Sequence, residues 1–317
     1  MKNKKILKVK YVDFWAEIKS DFFLDILKSK YDVVFDDDPD LLFFSVFSDE
    51  HLKYNCHKVF YTGENVKPNK KLCDFSFSFE PSDGKNFQFP YFARHELFEN
   101  LRTNTLPDSM QKLRSSPKNN FCNFIYSNPR AKERIDFCEK LASYKRIDCP
   151  GKVLNNMLAF KNGLHDWPEK IDFLSNYKFT IAFENEKSDY YTTEKIYHPL
   201  IAGSIPIYWG DEKIIEYFNP DSFINCNDFD SFDDVIDYVK EVDNDEILYK
   251  KYLDAQLILP NSRLHSFSRQ KTEAFLFNII ENGFHTPPVS RGIYFQLYKA
   301  FYLFNKVCGK FKKRIRR

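Results

Sequence analysis

The residues of this chain best suited to chemistry lie between Phe179 and Asp211, in the stretch FTIAFENEKSDYYTTEKIYHPLIAGSIPIYWGD. It reads as strand, polar loop, helix, glycine and strand. Thr192 or Thr193 can cap the helix by accepting from exposed backbone N–H groups, and Gly203 can take the left-handed conformation that ends it. Glu194 and Lys195 then fall in the first turn. Unpaired N–H groups and the positive end of the helix dipole make that turn a place for phosphate. A lysine there adds a mobile cation for a departing diphosphate, and the carboxylate beside it can bind sugar or ribose hydroxyls. The same residues would also suit an ordinary capped helix with a surface Glu–Lys pair. The loop favours the chemical reading. Asn185, Tyr190 and Tyr191, with Glu194 and Lys195, put polar and aromatic groups at the carboxyl end of a buried strand, the edge where open α/β sheets bind ligands.

Elements that could position this stretch recur along the chain. Strands are expected at Lys5 to Tyr11, Tyr31 to Phe35, Leu41 to Phe47 and Lys58 to Thr62, with a helix from Phe14 to Ser29 on the spacing Phe14, Ile18, Phe22, Ile26. The fourth strand runs into a turn, Gly63-Glu64-Asn65. After a polar stretch at Arg114 to Asn120, read as a linker, the alternation resumes. It gives a strand at Phe121 to Tyr126, a helix at Ala131 to Ser143, and the strand-helix-strand unit above. Further helices are expected around Phe232 to Val242, Asp245 to Ala255 and Ser266 to Ile280. Pro199 should bend the helix that carries Lys195, because it removes one backbone bond. Strands alternating with helices imply parallel sheets. Two such series imply two doubly wound α/β domains facing a cleft.

Composition narrows the function classes. The chain has 317 residues, 43% hydrophobic and 29% charged, with 34 Phe and only 9 Gly. That excludes disordered and collagen-like chains, and a net charge of +2 gives no global field for nucleic acid. The seven cysteines are scattered without a CxxC pair, so neither a zinc ribbon nor a disulfide framework is expected. The histidines show no metal spacing. Asp36-Asp37-Asp38 has the look of a metal-binding acidic motif, but it lies away from the Phe179 to Asp211 stretch and reads as a solvated loop. No stretch reaches the ~18 apolar residues of a membrane span. Lysines interrupt the opening MKNKKILKVKYVDFW where a signal peptide needs an apolar core, so a cytoplasmic location is expected.

Three motifs carry a family resemblance: Phe183-Glu184-Asn185 with Tyr191-Thr192-Thr193-Glu194-Lys195 and Ile205-Pro206-Ile207-Tyr208-Trp209-Gly210; Val59 to Asn69 (VFYTGENVKPN); and Ser127-Asn128-Pro129 followed by Arg134. Together they resemble the bacterial α1,3/4-fucosyltransferases of glycosyltransferase family 10, over about residues 57 to 230. The resemblance implies a GT-B fold with residues 1–116 as an N-terminal acceptor-side Rossmann-like domain and residues 117–286 as a GDP-fucose-binding Rossmann-like domain. It implies an inverting transfer of L-fucose from GDP-fucose to a hydroxyl of N-acetylglucosamine or glucose, most often O3, in a lipopolysaccharide or other surface-glycan precursor such as an N-acetyllactosamine unit. Glu64 would be the general base, with Glu80 and Asp83 as the next candidates. Arg134 and Lys195 would neutralise the leaving diphosphate, while Asn185, Tyr191 and Glu194 would hold phosphate, ribose or fucose. No cofactor or metal would be required. The competing readings are a same-fold transferase using another nucleotide sugar, and a non-catalytic glycan- or membrane-binding protein.

Residues 287–317 form the last expected unit. From Arg291 to Arg317 there is no acidic residue, and apolar residues recur at Ile293, Leu297, Phe301, Phe304, Val307, Phe311 and Ile315. A helix would carry an apolar stripe flanked by cations, suited to the anionic inner face of the cytoplasmic membrane. Pro287-Pro288 would let it move independently.

Overall fold

The computed structural model describes residues 4–18, 21–163 and 166–315, with the backbone alone from 306 to 315. Met1 to Asn3, Arg316 and Arg317, and the side chains of Val307, Phe311 and Ile315, thus lie outside the described parts. The chain forms two compact units. One comprises the residues up to Phe89 together with those from Arg269 onward, and the other is Pro90–Ser268.

The first unit holds β1 (Ile6–Val12), α1 (Phe22–Lys30), β2 (Asp32–Phe35), β3 (Leu41–Phe44), β4 (His57–Tyr61), β5 (Phe75–Ser78) and β6 (Asn86–Gln88). Its sheet runs β2-β1-β3-β4-β5-β6 with every pair parallel. Each residue of β3, β4 and β5 is buried, as expected of parallel strands covered on both faces. Phe23 of α1 sits at the centre of the core, with ring centroids 4.5 Å from Phe77, 4.9 Å from Tyr61 and 5.4 Å from Phe89. Such pairs add about 0.5–1.5 kcal/mol each beyond the area they bury. The abundance of phenylalanine is spent here.

The helix expected from Phe14 begins instead at Phe22, capped by the Asp21 carboxylate, which accepts from Leu24 N at 2.7 Å. Asp13 holds the chain in a turn. Its φ is 64°, and its buried carboxylate accepts from Glu50 N at 2.7 Å and His51 N at 3.1 Å and meets His51 Nδ1 at 2.6 Å. A residue fixed in that conformation cannot start a right-handed helix.

The second unit opens with the short helices α2 (Phe98–Arg102) and α3 (Asp108–Arg114). It continues through β7 (Asn120–Asn123), α4 (Lys132–Ala142), β8 (Ile147–Asp148), α5 (Trp167–Leu174), β9 (Tyr177–Phe183), α6 (Glu194–Ala202), β10 (Ile205–Trp209), β11 (Ile224–Asn225), α7 (Phe232–Asn244) and α8 (Glu246–Asp254). Its sheet is parallel throughout, in the order β11-β10-β9-β7-β8. Ile205 pairs with Phe179 and Trp209 with Phe183, so β9 and β10 end level with each other. Phe137, Phe179, Ile181, Ile207 and Val239 pack the core beneath. Cys56, Cys73, Cys122, Cys138, Cys149 and Cys226 are buried free thiols.

The units divide at Pro90, where residue 117 was expected. Phe92 stacks on Tyr197 of α6 at 5.2 Å, and the polar stretch read as a linker caps the far end of α6. Lys118 Nζ donates to the carbonyl of Ala202 at 3.2 Å and to that of Ser175 at 2.8 Å. Arg114 donates to the carbonyl of Leu200. Cations on the last carbonyls are what a helix C-terminus favours. Gly203 closes α6 at φ 72° and stacks tightly on Arg114, whose backbone a Cβ would meet at 2.6 Å. Pro199 lies inside α6 without ending it.

The chain then returns to the first unit through α9 (Arg269–Glu281) and α10 (Ile293–Ile315), where the sequence suggested that the second domain runs to 286. Phe275 lies 5.4 Å from both Phe77 and Phe87, and His57 stacks on Phe284 at 4.4 Å. Nor is the segment from 287 free of the fold. Val289 N donates to Asp74 at 2.7 Å, Phe295 is buried with Leu52 and Leu72, and Tyr302 bonds to Asp49. One face of α10 packs; Ile293, Leu297, Phe301 and Phe304 on the other are each more than 60% exposed.

Candidate active site

The level ends of β9 and β10 present two fully buried carboxylates, Glu184 and Asp211. Between them they hold the loop that leads into α6. Glu184 Oε1 accepts from the Thr193 amide at 2.8 Å and from its hydroxyl at 2.9 Å, and Oε2 accepts from Lys195 Nζ at 2.9 Å. Asp211 accepts from the Tyr190 amide at 2.9 Å and from the Thr192 hydroxyl at 2.8 Å. Thr193 is therefore the helix cap, and Thr192 is committed to Asp211. Burial raises both carboxyls above the usual carboxylate range; Lys195 opposes it at Glu184, and hydrogen bonds from Lys213 N, Thr192 and Tyr190 oppose it at Asp211. Burial alone would lower the Lys195 ammonium, but the charges of Glu184 and Glu194 outweigh it and hold it above the ordinary lysine value. Lys195 thus stays charged at any physiological pH.

Gly210 makes this arrangement possible. Its φ is 155°, and a Cβ would come within 2.6 Å of Glu184 Cγ. The glycine is absent bulk, leaving room for the carboxylate.

Arg134, in the first turn of α4, is only 1% exposed, so it is not a solvated helix residue. Its guanidinium lies 4.1 Å from the Tyr126 ring centre. It donates to Asn185 Oδ1 at 2.9 Å and to the carbonyl of Asn128 at 2.7 Å, while Nε has no hydrogen-bond partner among the described residues. Asn185 Nδ2 in turn reaches the Tyr191 hydroxyl at 3.5 Å. The structure therefore brings Arg134, Asn185, Tyr191, Glu194 and Lys195 to one edge of one sheet. Cations from two helices meet there beside the N-terminal end of α6, a combination suited to a phosphorylated ligand.

Glu64 stands in the other unit, just past β4. Its amide donates to Thr62 Oγ1 at 3.1 Å, its side chain is exposed, and its carboxylate has no partner among the described residues. The two alternative bases are engaged. Asp83 pairs with Lys70 at 2.6 Å; that bond and two backbone amides hold its carboxyl down at about 2, which suits a base poorly. Glu80 pairs with Lys67 at 2.9 Å. Asp36 and Asp37 are occupied by Lys8 and Lys10. Among the described residues no three His, Cys, Asp or Glu side chains group as metal ligands would.

Comparison with known proteins agrees with this geometry. The family model for the C-terminal part of glycosyltransferase family 10 (fucosyltransferase) matches residues 115–274, and that for the alpha-(1,3)-fucosyltransferase FucT N-terminal domain matches residues 9–95. The chain belongs to glycosyltransferase family 10. Among relatives of this fucosyltransferase, the alpha-(1,3)-fucosyltransferase FucT of Helicobacter pylori is 31% identical over 89% of this chain and 68% of its own length. A putative fucosyltransferase of Acanthamoeba polyphaga mimivirus is 34% identical over 45% of this chain and 25% of its own. A crystal structure of an alpha1,3-fucosyltransferase superposes with a TM-score of 0.75 and 28% identity, covering 90% of this chain and 94% of that one. The same kind of enzyme with GDP-fucose gives 0.73 and 28%, over 89% and 92%. The GT-B architecture inferred from the sequence is thus present, as two parallel-sheet Rossmann-like units.

Glu184 and Asp211 were not assigned roles by sequence reasoning. Glu184 sits inside a motif and directly after an apolar run, where it reads as a strand end; only the pairing of β9 with β10 reveals its purpose. Breaking a buried pair by removing one partner leaves an uncompensated charge, which costs about 3–5 kcal/mol. Glu184→Gln should lose stability on that scale in urea unfolding, whereas Glu194→Gln, on a half-buried side chain, should lose far less.

Proposed function

We propose that this fucosyltransferase moves L-fucose from GDP-fucose, with inversion, to O3 of an N-acetylglucosamine or glucose residue in a surface-glycan precursor such as an N-acetyllactosamine unit. The observation that carries the donor assignment is the Lys195–Glu184 pair at the start of α6, with Arg134 and Asn185 beside it. It is supported by the similar enzyme solved with GDP-fucose. Glu64 takes the proton of the acceptor hydroxyl as its oxygen attacks the anomeric carbon. The bond from that carbon to the diphosphate oxygen breaks, and the electron pair leaves on GDP. Arg134, as a planar fork, and Lys195, as a point charge, stabilise the charge that develops there. Asn185, Tyr191 and Glu194 hold phosphate, ribose or fucose.

Glu64→Gln should retain GDP-fucose binding and lose about 10²–10⁴ in turnover, measured with an N-acetyllactosamine acceptor. Turnover near that of the parent protein would remove Glu64 from the mechanism, and transfer from a different nucleotide sugar in a donor panel would change the substrate.

Protein cations carry the leaving-group charge in this reading, so no metal or other cofactor is needed. Activity should survive EDTA; loss in chelator with recovery in manganese would contradict it.

We further propose that the enzyme works at the anionic inner face of the cytoplasmic membrane, reached through α10. The exposed Ile293, Leu297, Phe301 and Phe304 form a stripe on that helix, and the segment beyond them is basic and free of acids. Each basic residue near such a surface contributes about 1 kcal/mol, falling with salt. Because Phe295 and Tyr302 belong to the packed face, the informative truncation stops at Asn305. The full chain should sediment with anionic vesicles at low salt, and the truncated one should do so much less; equal sedimentation would sink the idea.

A further inference from the structure

The charged groups named so far at the start of α6 balance one another before a diphosphate arrives. Lys195 is matched by Glu184 and uses Nζ contacts to Glu184 and Thr193. Arg134 adds one positive charge and Glu194 one negative charge. Four groups therefore sum to zero, where a nucleoside diphosphate brings at least two negative charges.

Lys170 changes that sum. It lies on α5, one helical turn beyond Trp167 and on the same face. That face meets α6, since the Trp167 ring is 4.7 Å from His198, which follows Glu194 by one turn on α6. A helical lysine points back toward the start of its helix. Lys170 is half-buried, and its ammonium feels the charges of Glu194, Lys195 and Glu184. No hydrogen bond or ion pair to its ammonium occurs among the described residues. Its neighbour His198 cannot balance it. That ring is fully buried, both its nitrogens are unpartnered, and burial, with Lys170, His95 and Lys195, pushes it well below the ordinary histidine value, so it is neutral. A half-buried cation whose ammonium makes no hydrogen bond or ion pair among the described residues, beside the first turn of α6, is placed to receive an anion.

We propose that Lys170 is a third cation of the donor site and binds the diphosphate of the nucleotide. This rests on the reading that the first turn of α6 receives that group. With Lys170 included, these five groups carry one net positive charge before the donor arrives.

The test is calorimetric titration of the full chain with GDP and with guanosine. Lys170→Met keeps the length of the side chain and removes its charge; it should weaken GDP binding about ten- to a hundredfold, the worth of a hydrogen bond to a charged group, and leave guanosine binding unchanged. Lys170→Arg should restore most of the loss. A second measurement uses the parent protein: acetic anhydride should modify the Lys170 amine more slowly with GDP present than with guanosine, read by mass spectrometry. GDP affinity unchanged in Lys170→Met, no recovery in Lys170→Arg, or equal modification with both ligands would each overturn the assignment. Failure of the parent protein to bind GDP would instead overturn the donor site as a whole, and Lys170 with it.

Discussion

The contact between Glu184 and Lys195 is the constraint on which the rest of the site depends. A carboxylate with no exposure is tolerated only if its oxygens are filled, and here both are, by one lysine and one threonine. Filling them dictates the local backbone. Thr193 must sit at the helix start so that its amide and hydroxyl reach one carboxylate, and residue 210 must lack a side chain so that the carboxylate has room. The register of β9 with β10 must bring those positions level. Asp211 then repeats the device one strand along, for the residues just before. Preorganisation of this kind is what a transferase needs, because cations already fixed in place cost no reorganisation when charge moves onto the leaving group.

That dependence explains how much could be read in advance. The α6 segment was legible because its signals are local: a threonine cap, a closing glycine, and a period of apolar residues between them. The motif order supplied the family, and the five residues it suggested for the donor lie at one sheet edge. What could not be read were contacts that only tertiary structure creates. Glu184 looks like the end of a strand until its neighbour strand is known. Phe14 looks like the start of a helix until the loop after β3 supplies the amides that hold Asp13, just before it, in a turn. Lys170 is one lysine among many until the packing of α5 on α6 sets it beside Glu194.

The two compact units divide away from the polarity signals for a related reason. Polarity marked Arg114 to Asn120 as a linker, yet Arg114 and Lys118 are polar because they neutralise the carbonyl end of α6. Conversely, α9 follows the second unit without any compositional break. Its allegiance to the first unit is written in Phe275, whose partners Phe77 and Phe87 lie far away in sequence. Long-range aromatic contacts leave no periodic trace.

The split construction of the first unit has a consequence for how the chain is made. Translation delivers β1 to β6 first, but α9, which covers Phe77 and Phe87, emerges only after all of Pro90–Ser268 has left the ribosome. At cellular elongation rates that interval is roughly ten to forty seconds. The second unit, being continuous, can complete its sheet during the wait, while the first carries an uncovered aromatic face. The newborn N-terminal half is therefore the part with most to gain from a chaperone, and a stop shortly after Ser268 would strand that unit incomplete although every one of its strands had been synthesised.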